Sequence, residues 1–282
     1  MEHLSEQRII LEKKKHLRVL SLGAGVQSSA LALMIQKGEI PMVDCAIFAD
    51  TGAEPKEVYD WLDWLRDELW FPVYIAKFSN LKEDVINSTI DKKKFAGIPY
   101  FMKNSKTGKT TLMKRQCTAD YKIKPVNQKV RAILGYQKGE KVTKDTKVEM
   151  LMGISYDEMQ RMKINPIKYI DNKYPLVEKA IRRHNCIQWM EKNNYPKPPR
   201  SACTFCPFHS NEEWRRVKEN KEEWDEVVKL DNLLRNSSQL REYDEVYLHQ
   251  SCVPLEQADI RERDEQTGQY SLLDECEGMC GI

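Results

Sequence analysis

The chain has 282 residues, 41% of them hydrophobic and 31% charged, with a formal net charge of +2. That length supports a sizeable core, as one large domain or a domain with an appendage, and no apolar run approaches the ~20 residues of a helical membrane span. Eight cysteines follow an N-terminus that is charged throughout and lacks the apolar core of a secretion signal, which points to a cytoplasmic protein using thiols for metal binding or catalysis ahead of disulfides.

After a charged extension over residues 1–16, Leu17 to Leu22 is a short apolar run with β propensity that stops at Gly23. Ser28 to Gln36, rich in Ala, Leu and Met, reads as a helix ended by Gly38. Residues 43–49 read as a buried strand, followed by Asp50-Thr51-Gly52 and a helix from Pro55 to Leu69, whose proline suits a first turn. A third strand is predicted over 71–76, and a further one over Glu149 to Ile154. Strands alternating with helices predict an α/β fold: a Rossmann-like parallel sheet with helices on both faces. Such sheets bind ligands at the carboxyl ends of their strands, where Gly23–Ser29 and Asp50–Gly52 fall. The run YPKPPR at 195–200 breaks any helix, and charged helices are predicted around 212–229 and 231–240.

Charge is unevenly spread. Residues 88–147 hold 16 Lys and Arg against 4 Asp and Glu, whereas residues 211–282 hold 9 against 19. Such blocks are read either as solvated faces or, for the basic one, as a surface for nucleic acid or another polyanion.

Two motifs carry chemistry. In Ser21-Leu22-Gly23-Ala24-Gly25-Val26-Gln27-Ser28-Ser29 a strand, a glycine turn and a helix opening on two serines would place N–H groups and hydroxyls around a phosphate. It is neither a Walker P-loop, lacking Gly-Lys-Ser/Thr, nor a dinucleotide fingerprint. The second motif is Cys203 and Cys206, three residues apart, with Cys117 86 residues earlier. Three thiolates form either a zinc knuckle completed by His209 or another cysteine, or a cluster site. Cys45 and Cys186 sit among apolar residues and read as packing thiols. Cys252 and His249 are left without a role.

These residues carry a resemblance. LSLGAGVQSSALAL is similar to the modified P-loop of the adenine nucleotide α-hydrolase (PP-loop) superfamily, which contains ATP pyrophosphatases and sulfonucleotide reductases. Asp50-Thr51-Gly52 with Glu57 resembles the reductases' Asp-Thr-Gly block, and Cys117 with Lys122 and Pro125 resembles their cysteine-pair segment. Gly153-Ile154-Ser155 with Arg161 resembles their nucleotide-contacting block, and Tyr195 to Cys206 their Cys-x-x-Cys stretch. The order holds from about residue 17 to 210. The chain departs from the pattern at Gly23 (usually Ser), Gln27 (Asp in ATP pyrophosphatases), Ser155 (Arg in the reductases) and Thr118, which stands where a second tandem cysteine is expected.

What the resemblance to the phosphoadenosine phosphosulfate (PAPS) reductase-like family implies is an adenine-nucleotide site made of Ser21, Gly23, Ala24, Gly25, Gln27, Ser28, Ser29, Asp50, Thr51, Gly52, Gly153, Ser155 and Arg161. Lys122 and Lys124 would contact substrate, and Cys117, Cys203 and Cys206 would hold a 4Fe–4S cluster, with zinc as the alternative. Cys276 or Cys280, in a Glu-Cys-Glu-Gly tail, would be the nucleophile that a thiol reductant later meets. The domains are then the extension (1–16), a nucleotide-binding α/β domain (17–200) with a basic insertion at about 88–147, and a metal-binding helical region with a cysteine tail (201–282). The bound nucleotide would be ATP, APS (adenosine 5′-phosphosulfate) or PAPS, with Mg2+ admissible beside it. Three functions follow: reduction of a sulfonucleotide; ATP-dependent thiolation of a nucleic acid; or a zinc-stapled, non-catalytic nucleotide-binding protein.

Overall fold

The computed structural model describes residues 13–90, 97–104, 106–236 and 245–261. Its first half runs β1 (His16–Leu22), α1 (Val26–Gln36), β2 (Cys45–Asp50), α2 (Lys56–Glu68), β3 (Val73–Lys77) and α3 (Leu81–Ile90). A hairpin of β4 (Phe101–Lys103) and β5 (Thr110–Leu112) follows, then a π-helical turn (Ala119–Ile123) that continues into α4 (Lys124–Ile133). β6 (Lys147–Met152), β7 (Ile170–Lys173), α5 (Pro175–Glu178) and α6 (Arg183–Lys192) complete the main layer; α7 (Asn211–Glu219), α8 (Lys221–Asn236) and β8 (Glu245–Tyr247) come last.

Five strands form one sheet in the order β3-β2-β1-β6-β7, and every neighbouring pair is parallel. Alternation along β1 shows why both faces are covered. Leu20 and Leu22 pack into a cluster with α1, α2 and Cys186 and Met190 of α6. Leu17 and Val19 face the other way, against Val126 and Val130 of α4. A parallel sheet needs helices on both sides because its crossovers deposit them there. The fold is therefore the α/β arrangement that the strand–helix alternation predicts. Strand and helix bounds shift by a few residues, with Pro55 capping α2 rather than opening it and α1 starting at Val26 instead of Ser28.

The basic insertion and the C-terminal part fold together. β8 pairs with β4 in a small antiparallel sheet ordered β5-β4-β8. Beneath it, Ala53, Leu81 and Val85 of the first half share a cluster with Trp214, Val227 and Leu230 of the last. The chain on either side of residue 200 thus contributes to one core. No described helix is long and apolar enough to cross a membrane.

Candidate functional site

The turn after β1 is shaped by Ser28. Its hydroxyl accepts from the Gly23 N–H at 3.2 Å and donates to the Gly25 carbonyl at 3.3 Å. Ala24 takes a left-handed conformation, φ 58°. Gly25 is the N-cap of α1; no side chain caps that end and no acidic residue stands in its first turn. Such a helix start attracts anions. The end of β6 approaches closely because residue 153 is glycine: a β-carbon there would lie 2.8 Å from the Cα of Ser28.

Between these two strand ends opens a cleft of about 290 Å³. Ser21, Gly23, Gly25, Gln27, Ser28 and Gly153 line it, together with Lys122, Ser201 and an apolar wall that includes Phe48, Met150 and Met152. Asn127, Lys163, Asn165 and Asn172 form its polar far side. Gln27 is only 4% exposed, and its amide nitrogen is buried without a hydrogen-bond partner. A buried orphaned donor costs about 1–3 kcal/mol.

A second, smaller cavity of about 30 Å³ is lined by Cys117, Cys203 and Cys206 together, with Thr51, Thr118, Arg115 and apolar side chains from Leu81, Ile98 and Phe205. Three cysteines from two distant segments therefore border one space. The Cys203–Cys206 turn, closed by a Cys206 N–H to Cys203 carbonyl bond of 2.9 Å, is tied to the β2–α2 turn through the Thr204 N–H and the Ala53 carbonyl, also 2.9 Å. Thr118 is 8% exposed, and its buried hydroxyl has no partner. Among the described residues, no group of three or more His, Cys, Asp or Glu side chains is gathered to hold a metal ion. What the described residues show is three thiols bordering one small cavity.

Lys122 lines both spaces. It sits in the π-helical turn, a distortion frequent at functional sites. Its ammonium pairs with Glu54 at 3.0 Å, the side chains being 9% and 0% exposed.

Other predicted site residues stand elsewhere. Ser29 is fully buried, and its hydroxyl accepts from Trp61 Nε1 at 2.9 Å. The Asp50 carboxylate accepts from the Gly52 N–H, Tyr59 and Lys77. Burial alone would raise it, but those three donors hold it below the usual carboxylate value. Thr51 faces the thiol cavity rather than the cleft. Gly52, φ 70°, supplies the left-handed turn residue. Ala24 and Ser155 are buried, Arg161 pairs with Glu158, and Lys124 lies over the Phe78 ring; none of these four lines the cleft. Cys276 and Cys280 fall outside the described residues. His209, the histidine a zinc knuckle would recruit, instead engages Glu213 through Nδ1 and the Thr204 carbonyl through Nε2. Burial raises the thiols of Cys45 and Cys186 to about 11 and about 12, which makes both unreactive packing groups. Sequence reasoning missed Glu54, Ser201 and the Lys163–Asn172 side. Glu54 carried a signal, an acidic residue directly after Asp-Thr-Gly-Ala; the others carried none.

No protein-family model matches the chain, and no curated protein matches it by sequence. Among solved structures it is similar to the phosphoadenylyl-sulfate (PAPS) reductase of Candida auris in its phosphate complex, with a TM-score of 0.41 and 15% identity over 66% of this chain and 75% of that one. It is also similar to the U34-tRNA thiolase NcsA of Methanococcus maripaludis with its [4Fe-4S] cluster, with a TM-score of 0.36 and 14% identity over 81% of this chain and 74% of that one.

Proposed function

We propose that the protein is an adenine-nucleotide-dependent enzyme of sulfur chemistry that reduces a sulfonucleotide. The observation that carries this reading is Gln27. ATP pyrophosphatases place an aspartate at this position, whereas this chain puts a neutral glutamine among the residues lining the cleft, its amide nitrogen buried and unpartnered. A neutral amide brings no negative charge against an anionic phosphosulfate and offers no carboxylate to a magnesium ion. The α1 N-terminus and the Gly23–Ser28 turn would take the phosphate, the apolar wall around Phe48 and Met152 the purine, and Lys122 the sulfonate.

In that reaction a thiolate, assigned to Cys276 or Cys280, attacks the sulfonate sulfur. The sulfur–oxygen bond to the phosphate breaks, and the nucleoside phosphate leaves with the bonding pair. A thiol reductant then attacks the cysteine sulfur, releasing sulfite and leaving a disulfide. Cys117, Cys203 and Cys206 would hold an iron–sulfur cluster, which when bound supplies a polarising centre next to the sulfonate. Lys122, between the two spaces, neutralises the oxyanion charge that develops in the cleft.

A second reading, ATP-dependent thiolation of a nucleic acid, is favoured by the β4–β5 hairpin. Lys106, Lys109 and Lys114 are exposed there, and none of them, nor Lys103, forms an ion pair among the described residues. One experiment separates the two readings. After anaerobic purification and iron analysis, sulfite release from APS and PAPS with a thiol reductant is measured beside pyrophosphate release from ATP with a nucleic-acid acceptor. Sulfite from either sulfonucleotide supports reduction. Pyrophosphate release with no sulfite transfers the site to the second reading.

A further inference from the structure

We propose that Glu54 couples the nucleotide cleft to the thiol cavity, so that occupancy of the cleft alters the reactivity of Cys203 and the state of Cys203 alters affinity in the cleft. The proposal rests on reading the cleft as a nucleotide site.

Glu54 sits in the turn between β2 and α2, and its side chain has no exposed surface. Its two oxygens collect contacts from both spaces. Oε1 accepts from Lys122 Nζ at 3.0 Å and from Thr51 Oγ1 at 3.5 Å, and Cys203 Sγ stands 4.0 Å from it. Oε2 accepts from Ser201 Oγ at 3.4 Å. Ser201 lines the cleft and lies 3.7 Å from where a β-carbon on Gly25 would stand. Thr51 and Cys203 line the thiol cavity, and Lys122 lines both spaces. A single carboxylate is therefore the common acceptor for one wall of each space.

Buried charges rearrange together because each is held by few partners in a low dielectric. An anion arriving in the cleft attracts the Lys122 ammonium away from Glu54. The carboxylate then depends more on Thr51, Ser201 and the Cys203 thiol, and those groups shift with it. Reciprocity applies to the equilibria: a change in the state of Cys203 that nucleotide favours raises nucleotide affinity by the same factor. Glu54 is thus a positioning residue that acts through its neighbours.

The test uses the full-length chain in its cluster-free form, in which Cys203 is a free thiol, and the rate at which iodoacetamide carbamidomethylates Cys203, read by peptide mass spectrometry. Rates are taken without ligand, with saturating ATP and, in a parallel arm, with saturating APS. Cys186, buried in the core, reports global opening in the same digest. In the wild type the nucleotide changes the Cys203 rate by about fivefold or more, the lower end of ordinary coupling, with Cys186 unchanged. In Glu54→Gln the nucleotide still binds by equilibrium dialysis, yet changes the Cys203 rate by less than about twofold, below that coupling range. If Glu54→Gln fails to fold because Lys122 is left buried and unpaired, Glu54→Asp keeps the charge beside Lys122 while withdrawing the carboxylate from Cys203 and Ser201, and carries the same expectation. An equal nucleotide effect in the variant and the wild type overturns the proposal, as does bound nucleotide with no effect on wild-type Cys203. If neither nucleotide binds the wild type, the cleft reading fails and the coupling fails with it.

Discussion

At Gly153 one methyl group decides how closely two chain segments approach. A β-carbon would stand 2.8 Å from the Cα of Ser28 and 2.9 Å from its backbone nitrogen, and neither backbone atom can swing aside as the tip of a side chain would. Gly153→Ala should therefore push the end of β6 from the Gly23–Ser28 turn, destabilising the fold by about 1–3 kcal/mol, the usual cost of overpacking. Nucleotide affinity should fall more than stability alone accounts for, because Ser28 organises the turn. Thermal denaturation with calorimetric titration of ATP and APS checks both; unchanged affinity would place the nucleotide away from this turn. Residues at this scale were unevenly legible. Gly153 and Ser28 stood out in the sequence because short motifs state them. Glu54 was marked only by its place directly after Asp-Thr-Gly-Ala, and its importance lies in contacts with residues 122, 201 and 203.

The element that presents Cys203 and Cys206 is a loop with no regular hydrogen-bond ladder, and the first turn of α7 holds it in place. Ser210 and Glu213 form a capping box. Glu213 also forms an ion pair with Arg200, Nε to Oε1 2.5 Å, and lies 3.3 Å from His209 Nδ1, while Trp214 packs edge-on against the His209 ring. One buried carboxylate thus ties the start of the loop to its end. Burial alone would raise the Glu213 carboxyl, but His209, Arg200 and the Ser210 N–H outweigh it and hold it below the ordinary value. A depressed folded value means that this stabilisation is fully present above the unfolded glutamate value of about 4.3 and is lost as pH falls through the lower folded value. Melting temperature should drop on acidification below about pH 4 in the wild type. Glu213→Gln should melt lower at pH 7, by a loss of about 3–5 kcal/mol for a broken buried pair, and respond less to acid. Parallel pH profiles of the two proteins would refute the assignment. The charged pattern predicted helices around 212–229 and 231–240; the break falls earlier, between α7 ending at Glu219 and α8 starting at Lys221, and the way the first turn of α7 clamps the preceding loop lay in contacts that span the loop.

Across the whole molecule, the basic insertion and the acidic C-terminal part meet in the β5-β4-β8 sheet, so two blocks opposite in charge along the chain are neighbours in space. The hairpin lysines still make no ion pairs among the described residues. If they hold a nucleic acid, binding of a single-stranded oligonucleotide should weaken with salt at about 0.7 logarithmic units per phosphate contact. Replacing Lys103, Lys106, Lys109 and Lys114 by glutamine should reduce that slope by up to about 3. A slope identical in both proteins moves the polyanion surface elsewhere and weakens the thiolation reading. The alternation of apolar runs with helical segments was enough to determine the parallel sheet, because strand and helix periodicity are local properties that burial on both faces makes plain. The glycine and cysteine motifs likewise declared the chemistry they are suited to. Which strands neighbour one another, that residue 117 borders the same cavity as residues 203 and 206, and that one buried glutamate stands between two spaces were decided only by tertiary packing. The reason is physical: proximity between residues 50 to 150 positions apart comes from closing the core, and no local pattern records which side chains that closure brings together.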